Sequence, residues 1–244
     1  MIDFTISLAG IPVGVSALYQ STEDFCRDYL TDEGPEFRVE ITREDISAEK
    51  KYSALQDQRD GIPQRRIKSS YLETLALYRK VALPLLERDT LVFHGSVVAL
   101  NGRAYLFTAP SGTGKTTHTR LWLENIEGSY VLNGDKPLLR LTGERTLVCG
   151  TPWQGKENYG CREILPLDAI CVLERAKENR IERIDLGGAL PTLFRQTHTP
   201  SDPSAIAKTT SLIGKIAGTV RLYRMGCNMD PEAARVSYRG MLYE

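Results

Sequence analysis

Ala109-Pro110-Ser111-Gly112-Thr113-Gly114-Lys115-Thr116 is the stretch that decides the fold of this 244-residue chain. It fits the phosphate-binding pattern G-x-x-x-x-G-K-[ST], except that Ala109 stands in place of the first glycine. The apolar residues 103–108 predict a strand directly before the loop, and residues 115–125 predict a helix directly after it. Because such a loop needs a strand before it and a helix behind it, the sequence predicts an α/β fold.

The residue types in this loop suit a bound triphosphate. Glycines allow backbone angles that turn N–H groups toward phosphate oxygens, and the N-terminus of the next helix adds positive potential. Lys115 is expected to meet the β- and γ-phosphates, and the Thr116 hydroxyl to bind Mg²⁺. A glycine turn that binds nothing is the alternative, but it would not need the Lys-Thr pair. The predicted nucleotide-binding residues are Ser111, Gly112, Thr113, Gly114, Lys115, Thr116 and Thr117.

Asp135 is the predicted carboxylate ligand of the same Mg²⁺ ion. It follows a short apolar strand at residues 130–132, one helix after the loop, and phosphate-loop enzymes hold a carboxylate at such a strand end. Mg²⁺ usually takes one or two carboxylates together with phosphates and water. Asn133-Gly134-Asp135 is also favourable turn chemistry, so a purely structural turn is the alternative.

Three segments occur in an order that resembles the catalytic domain of HPr kinase/phosphorylase: Phe93-His94-Gly95-Ser96-Val97-Val98, the loop with Lys115, and Asn133-Gly134-Asp135-Lys136. The resemblance covers about residues 89–175. It implies a P-loop core on a mixed sheet, the fold shared with phosphoenolpyruvate carboxykinase. It also implies ATP- and Mg²⁺-dependent transfer of the γ-phosphoryl group to a hydroxyl, of the serine type, on a protein, peptide or small molecule.

Gly134 departs from the pattern of that kinase family. The family carries an acidic pair at this strand end, for metal binding and as general base, and here only Asp135 matches it. Two hypotheses therefore stay open. In one, the chain is a kinase in which Asp135 serves both roles. In the other, it is a nucleotide-binding regulatory or accessory protein with reduced or no kinase activity. The family's phosphorolysis signature is not recognisable, so phosphorolysis is not predicted.

Further candidates lie around these segments. His94 is at the place of the family's His-Gly and is a candidate catalytic group for the acceptor hydroxyl. Lys156, in a turn-rich stretch, is a candidate for stabilising charge on the γ-phosphate, and Lys136 is a similar candidate. His118 either contacts nucleotide or packs inside the protein. Residues 195–198 could form a substrate loop, although nothing in the sequence demands it.

The pattern along the chain predicts two parts. Residues 1–88 are expected to form a small β-rich lobe closed by a helix over residues 70–86, in which Pro84 would break or kink the end. Strands are expected on both sides of Gly10 and at residues 36–41, whereas residues 45–66 fit an extended hairpin or a loose loop. Residues 89–244 are expected to form the kinase-like part.

Composition narrows the class of partner. The chain has 31 Lys and Arg against 31 Asp and Glu, so no global basic field attracts nucleic acid. No stretch approaches the roughly 20 apolar residues of a membrane span, and the N-terminus does not read as a signal peptide. Five cysteines without a CxxC pair favour a reduced compartment, so a cytoplasmic protein is predicted. The sequence leaves a homo-oligomer open.

Overall fold

The computed structural model describes residues 1–59 and 61–243 and divides into two compact units, Met1–Pro84 and Leu85–Glu244. The first unit contains a three-stranded sheet in which β1 and β2 are antiparallel and β3 lies parallel to β2. Its elements are β1 (Ile2–Leu8), β2 (Ile11–Ala17), α1 (Gln20–Phe25), β3 (Phe37–Glu40), α2 (Arg43–Arg59) and α3 (Ser69–Leu86). The strands predicted beside Gly10 and at residues 36–41 are confirmed.

The helix α2 corrects the expectation of a hairpin or loop from residue 45 to residue 66. Two of its three buried residues, Glu49 and Asp57, are acidic, the third is Ile46, and Glu49 pairs with Arg79 of α3. The sequence of α2 therefore lacks the apolar stripe from which an amphipathic helix is recognised, and this explains why the helix was not predicted. The helix begins at a capping box, in which the Asp45 carboxylate accepts from the Thr42 N–H at 2.8 Å. Asp60, inside the same segment, lies outside the described residues.

The helix predicted over residues 70–86 is confirmed as α3, which continues through Pro84 to Leu86. Pro84 therefore does not end the helix. The predicted apolar face is only partly right, because Tyr71 is exposed whereas the polar Glu73 and Thr74 are buried.

The second unit is built on a mixed sheet of nine strands among the described residues, in the order β4-β8-β9-β10-β6-β5-β7, with β12 beside β10 and β11 beside β12. The strands are β4 (Thr90–Val92), β5 (Ser96–Leu100), β6 (Arg103–Thr108), β7 (Tyr130–Asn133), β8 (Leu138–Thr142), β9 (Arg145–Cys149), β10 (Ile164–Arg175), β11 (Arg180–Arg183) and β12 (Arg221–Cys227). The helices are α4 (Lys115–Asn125), α5 (Leu186–Gln196), α6 (Pro203–Ala217) and α7 (Glu232–Tyr243).

Strand β10 joins the two parts of this sheet. Its first residues pair antiparallel with β9, and from Leu167 onward it runs parallel to β6, with β12 parallel on its other side. The carboxyl ends of β6, β10 and β12 therefore lie at one edge of the sheet. Ligands of open α/β sheets bind at this edge.

Alternating side chains of β6 supply two apolar cores. Ala104 and Leu106 pack in the core that contains residues of α5 and α6, whereas Tyr105 and Phe107 pack in the core that contains residues of α4 and α7. The sheet is thus covered on both faces, which explains why β6 is an almost uninterrupted apolar run.

Helices α5 and α6 were not predicted from the sequence. Glycine at 187 and 188 and proline at 191 lower the helix propensity of α5, and its stability comes from buried side chains such as Leu193. Helix α6 did carry a readable signal, since Asp202 caps it and Pro203 is its first residue. No helix among the described residues combines the length and the apolar character needed to cross a bilayer.

Candidate functional site

The glycine-rich loop lies between β6 and α4, as the sequence predicts. Gly112 has φ 75° and Gly114 has φ 127°, and a Cβ atom at either position would meet nothing within 4 Å. The glycines are therefore required by backbone angle and not by crowding. Ala109 is fully buried and is absent from the residues with positive φ, so the replacement of the first glycine by alanine causes no backbone strain.

The side chain of Lys115 folds back over this loop. Its Nζ donates to the carbonyl oxygen of Ala109 at 2.8 Å, and only 9% of the residue is exposed. Burial lowers the pKa of Lys115, while the nearby Asp135 carboxylate raises it and the ammonium of Lys136 lowers it. Contacts also link the loop to the Asp135 turn, because Thr108, next to Ala109, donates to the carbonyl oxygen of His94, and the His94 ring contacts the Asp135 carboxylate.

Asn133, the last residue of β7, builds the turn that presents Asp135. Its fully buried side chain accepts the backbone N–H of Asp135 at 3.0 Å and that of Lys136 at 2.8 Å. The other end of the same amide donates to the carbonyl and hydroxyl oxygens of Thr151, at 3.2 and 3.1 Å. The turn is therefore fixed by hydrogen bonds at both ends of one side chain.

The carboxylate of Asp135 contacts two basic side chains. His94 Nε2 lies 3.3 Å from Oδ1, and Lys136 Nζ pairs with Oδ2. Burial alone raises the pKa of Asp135, but the hydrogen bond from His94 and the charge of Lys136 outweigh it and hold the pKa well below its usual range. Asp135 is therefore ionised at neutral pH and is a weak base.

Backbone hydrogen bonds join the segment of His94 to the Asp135 turn. The Gly95 N–H donates to the Asp135 carbonyl oxygen at 2.9 Å, and the Ser96 hydroxyl donates to that of Gly134 at 2.9 Å. On the other side, the Thr108 hydroxyl at the end of β6 donates to the His94 carbonyl oxygen at 3.0 Å. The structure thus brings together His94, Lys115, Asp135 and Lys136, which the sequence singled out separately.

A second loop packs against this turn at close range. A Cβ atom on Gly134 would stand 2.6 Å from the carbonyl oxygen of Gln154, and one on Gly155 would stand 3.0 Å from the Cβ of Asp135. Gly134 also donates its N–H to the Tyr159 carbonyl oxygen at 2.9 Å. The exposed Lys156 follows Gly155 directly, so its backbone starts beside Asp135.

The donor set suits Mg²⁺ only in the company of phosphate. Thr116 is exposed in the first turn of α4, and Asp135 is the carboxylate at the neighbouring turn. No group of three or more His, Cys, Asp or Glu side chains could hold a metal ion within the part of the chain that is described. One hydroxyl and one carboxylate leave most positions of an octahedral ion to phosphate oxygens and water.

His118 is buried in the interior of the second unit. Its Nε2 lies 3.0 Å from the Ser237 hydroxyl oxygen, and its ring packs edge-on against Phe107 with centroids 4.6 Å apart. Burial lowers its pKa to about 4. Of the two alternatives left by the sequence, the packing one therefore describes His118.

Residues 195–198 lie beside His94. The His94 N–H donates to the Gln196 carbonyl oxygen at 2.7 Å, and the His198 N–H donates to that of Val92 at 2.8 Å. The polar end of α5 therefore lies next to His94, the candidate catalytic histidine. The sequence could not indicate this contact, because the two segments are about a hundred residues apart.

Two residues of the site were missed in the sequence. Asn133 was taken only as part of a turn, although an Asn two residues before an Asp is a signal for a side chain that accepts backbone N–H groups. Arg175 ends the strand beside β6, and its guanidinium reaches the loop at Gly112. A charged residue at the carboxyl end of a buried strand was the available signal.

Comparisons with known proteins give distant structural similarity but no sequence match. A scan against protein-family models finds no match, and a search of curated proteins finds none either. A solved structure of the Hpr(Ser) kinase/phosphatase from Coxiella burnetii has 9% sequence identity and a TM-score of 0.37. The similarity covers 62% of this chain and 97% of that one.

Proposed function

We propose that this protein binds Mg-ATP at the loop of residues 109–116 and transfers the γ-phosphoryl group to a hydroxyl of a protein, peptide or small molecule, most simply a serine. One observation carries the proposal. The loop lysine, Lys115, donates to the carbonyl oxygen of Ala109, the residue after Thr108. Thr108 donates to the carbonyl oxygen of His94, whose ring holds the carboxylate of Asp135. A phosphate cradle alone explains binding, but a fixed carboxylate facing it fits group transfer.

The loop residues would hold the triphosphate. Backbone N–H groups between Ser111 and Thr117 and the positive end of α4 would contact its oxygens, and Lys115 would exchange the Ala109 carbonyl for the β- and γ-phosphates. Thr116 and Asp135 would hold Mg²⁺, which supplies neutralisation of phosphate charge when bound. Two lysines against one aspartate leave the cluster net positive, which favours an anion.

The acceptor hydroxyl would approach from the side of Asp135 and His94. The oxygen attacks the γ-phosphorus, the bond to the leaving ADP oxygen breaks, and the hydroxyl proton passes to the Asp135 carboxylate. A strong base is not needed, because the transition state is loose and catalysis rests on positioning and charge. His94 would orient Asp135, and Lys156 would neutralise charge on the transferring group.

A second candidate is a nucleotide-binding regulatory or accessory protein, and Gly134 favours it. A carboxylate at position 134 cannot be added without displacing the carbonyl of Gln154, which stands 2.6 Å from the site of a Cβ. The turn is therefore built around one carboxylate, and that carboxylate is already paired with Lys136.

Calorimetry and a phosphotransfer screen separate these functions. The purified chain is titrated with Mg-ATP and Mg-ADP, and then incubated with Mg-ATP and a library of serine peptides and small hydroxyl compounds, with products read by mass spectrometry. The kinase proposal expects binding and a product 80 Da heavier, which is about the mass added by one phosphoryl group.

Asp135→Asn is the variant for this test and Asp168→Asn is its matched control. Asp168 is also a partly buried aspartate in ion pairs, with Arg103 and Arg221, but it lies toward the opposite edge of the sheet. Transfer should be lost in the first variant and kept in the second. Tight binding of ATP without any product in the screen would favour the regulatory function, and failure to bind either nucleotide would contradict both.

A further inference from the structure

Arg175 is the last residue of β10, the strand that runs parallel to β6 with Val172 beside Thr108. Its guanidinium crosses to the loop that follows β6. Nη2 donates to the carbonyl oxygen of Gly112 at 2.5 Å, and Nε lies 3.4 Å from that of Thr113. One side chain thus engages two consecutive carbonyl groups of the phosphate loop.

The direction of these carbonyls fixes the direction of the neighbouring N–H groups. In a planar trans peptide unit, the C=O of one residue and the N–H of the next point to opposite sides. The N–H groups in question belong to Thr113 and Gly114. The Thr113 N–H donates to the Pro110 carbonyl oxygen at 3.3 Å, so it points back into the loop, away from Arg175. The Gly114 N–H must point away from Arg175 in the same sense.

We propose that Arg175 is a positioning residue of the phosphate loop, which holds the carbonyls of Gly112 and Thr113 outward so that the Gly114 N–H, in the peptide unit after Thr113, faces the bound phosphates. The inference rests on the proposed nucleotide site and deepens it. An arginine suits this task because its planar fork presents several donors in a fixed geometry, whereas a lysine offers a single point charge.

The backbone freedom of the loop glycines explains why a restraint from Arg175 would help nucleotide binding. Gly112 and Gly114 stand in open space with positive φ, so no side chain of their own restrains the peptide units between them. Glycine has the largest backbone freedom to lose when a conformation is fixed. Arg175 supplies the restraint from the next strand, and a preorganised loop binds its ligand with a smaller entropic cost.

Arg224 provides a matched control on the next strand. It lies opposite Val172 of β10, and its guanidinium pairs with Glu174 at 3.2 Å and donates to the Gly188 carbonyl oxygen at 3.1 Å. It is therefore another arginine that donates to a backbone carbonyl near the same sheet edge, but its contacts are with Glu174 and α5 instead of the phosphate loop.

The test measures dissociation constants of Mg-ATP and Mg-ADP by calorimetry for the wild type, Arg175→Met, Arg175→Lys and Arg224→Met. Arg175→Met should weaken both nucleotides by the same factor, roughly tenfold, because the loop N–H groups serve phosphates common to both. Arg175→Lys should fall between wild type and Arg175→Met. Arg224→Met should bind as the wild type does, and the melting temperatures of the exposed Arg175 variants should not change.

Each other outcome has a definite meaning. Equal affinities of wild type and Arg175→Met overturn the inference. A loss confined to ATP also overturns it, since that indicates direct contact with the γ-phosphate. Arg175→Lys binding as tightly as wild type overturns it too, because charge alone would then suffice. A wild type that binds neither nucleotide refutes the proposed function itself, and that result is distinct from all of these.

Discussion

Two glycine-bearing turns face each other across the candidate site, and they use glycine for opposite reasons. In the phosphate loop, Gly112 and Gly114 have positive φ and open space where a Cβ would stand. In the Asp135 turn, Gly134 is absent from the residues with positive φ, yet a Cβ there would stand 2.6 Å from the Gln154 carbonyl oxygen. The phosphate loop requires glycine because of its backbone angles, whereas the Asp135 turn requires glycine because a neighbouring carbonyl leaves no room for a Cβ atom.

This difference separates local from tertiary requirements. An angle requirement belongs to a few consecutive residues, so it recurs as a sequence motif that can be read without the fold. A close approach depends on a loop some twenty residues away, so it leaves no pattern at Gly134. The absence of a second carboxylate is thus explained by packing of the loop at residues 153–160 and not by loss of a motif residue.

The largest effect is expected from Lys115→Ala in the first turn. Removal of the ammonium should weaken Mg-ATP by roughly a hundredfold, because charge-assisted bonds to phosphate are lost. Folding should not suffer, since burial of the charge lowers the pKa of Lys115 and so disfavours its charged form. Calorimetry and thermal unfolding measure the two quantities. Lys50→Ala, at an exposed lysine of the first unit, is the control. If the folded Lys115→Ala variant binds ATP as tightly as the wild type, the assignment of residues 109–116 as a phosphate loop is wrong.

Gly134→Asp tests the crowding in the second turn. The new Cβ would press on a backbone carbonyl, so the free energy of unfolding should fall by about 2 kcal/mol, and kinase activity should not increase. Denaturant unfolding measures the loss. Gly34→Asp is the control, because a Cβ at Gly34 meets nothing within 4 Å and should change stability little. A stable Gly134→Asp with increased phosphotransfer would contradict the packing explanation and indicate a disabled kinase.

Acid should destabilise the helix behind the phosphate loop through His118. Its pKa falls from 6.5 to about 4 on burial, so the unfolded state binds the proton more readily. Stability contributed by the neutral ring is complete well above pH 6.5 and is lost as the pH falls toward 4, by about 1.6 kcal/mol between pH 6.5 and 5. Unfolding free energies of wild type and His118→Gln across this range measure it. Parallel curves would show that His118 does not titrate in this way.

The smallest effect is expected from Gly112→Ala. The new Cβ atom would meet no neighbour, so the only cost is that alanine disfavours the positive φ of this position. The free energy of unfolding should fall by about 1 kcal/mol. Nucleotide affinity should fall as well, because the loop would relax from its present angles. Gly143→Ala is the control, because Gly143 lies in the β8–β9 turn, has φ 58° and has open space where a Cβ would stand. The substitution introduces the same backbone strain at a position outside the phosphate loop. It should lose similar stability and keep its affinity; equal losses of affinity in both variants would be a contrary result.

Prediction from the sequence succeeded where the determinants are consecutive residues. The strand before the loop is β6, and the Asn101-Gly102 pair in front of it, with positive φ at both residues, is the local signal for the β5–β6 hairpin. Helix α4 spans the expected residues. It failed for α2, where buried carboxylates paired with arginine replace an apolar stripe, and for α5, where packing overrides glycine and proline. The domain boundary, the site roles, ATP and Mg²⁺ and the cytoplasmic location stay predictions.

The sequence by itself determined the strand, the glycine loop and the helix with Lys115, because their chemistry depends on backbone angles and charges within ten residues. Only the tertiary structure decided that His94 holds Asp135, that His118 is interior, and that Arg175 reaches Gly112. The His94 and Arg175 contacts join segments at the ends of strands that are neighbours in the sheet, and the His118 contact joins α4 to Ser237 of α7; all three link residues far apart in the chain. Sheet order, and not local pattern, decides which side chains meet.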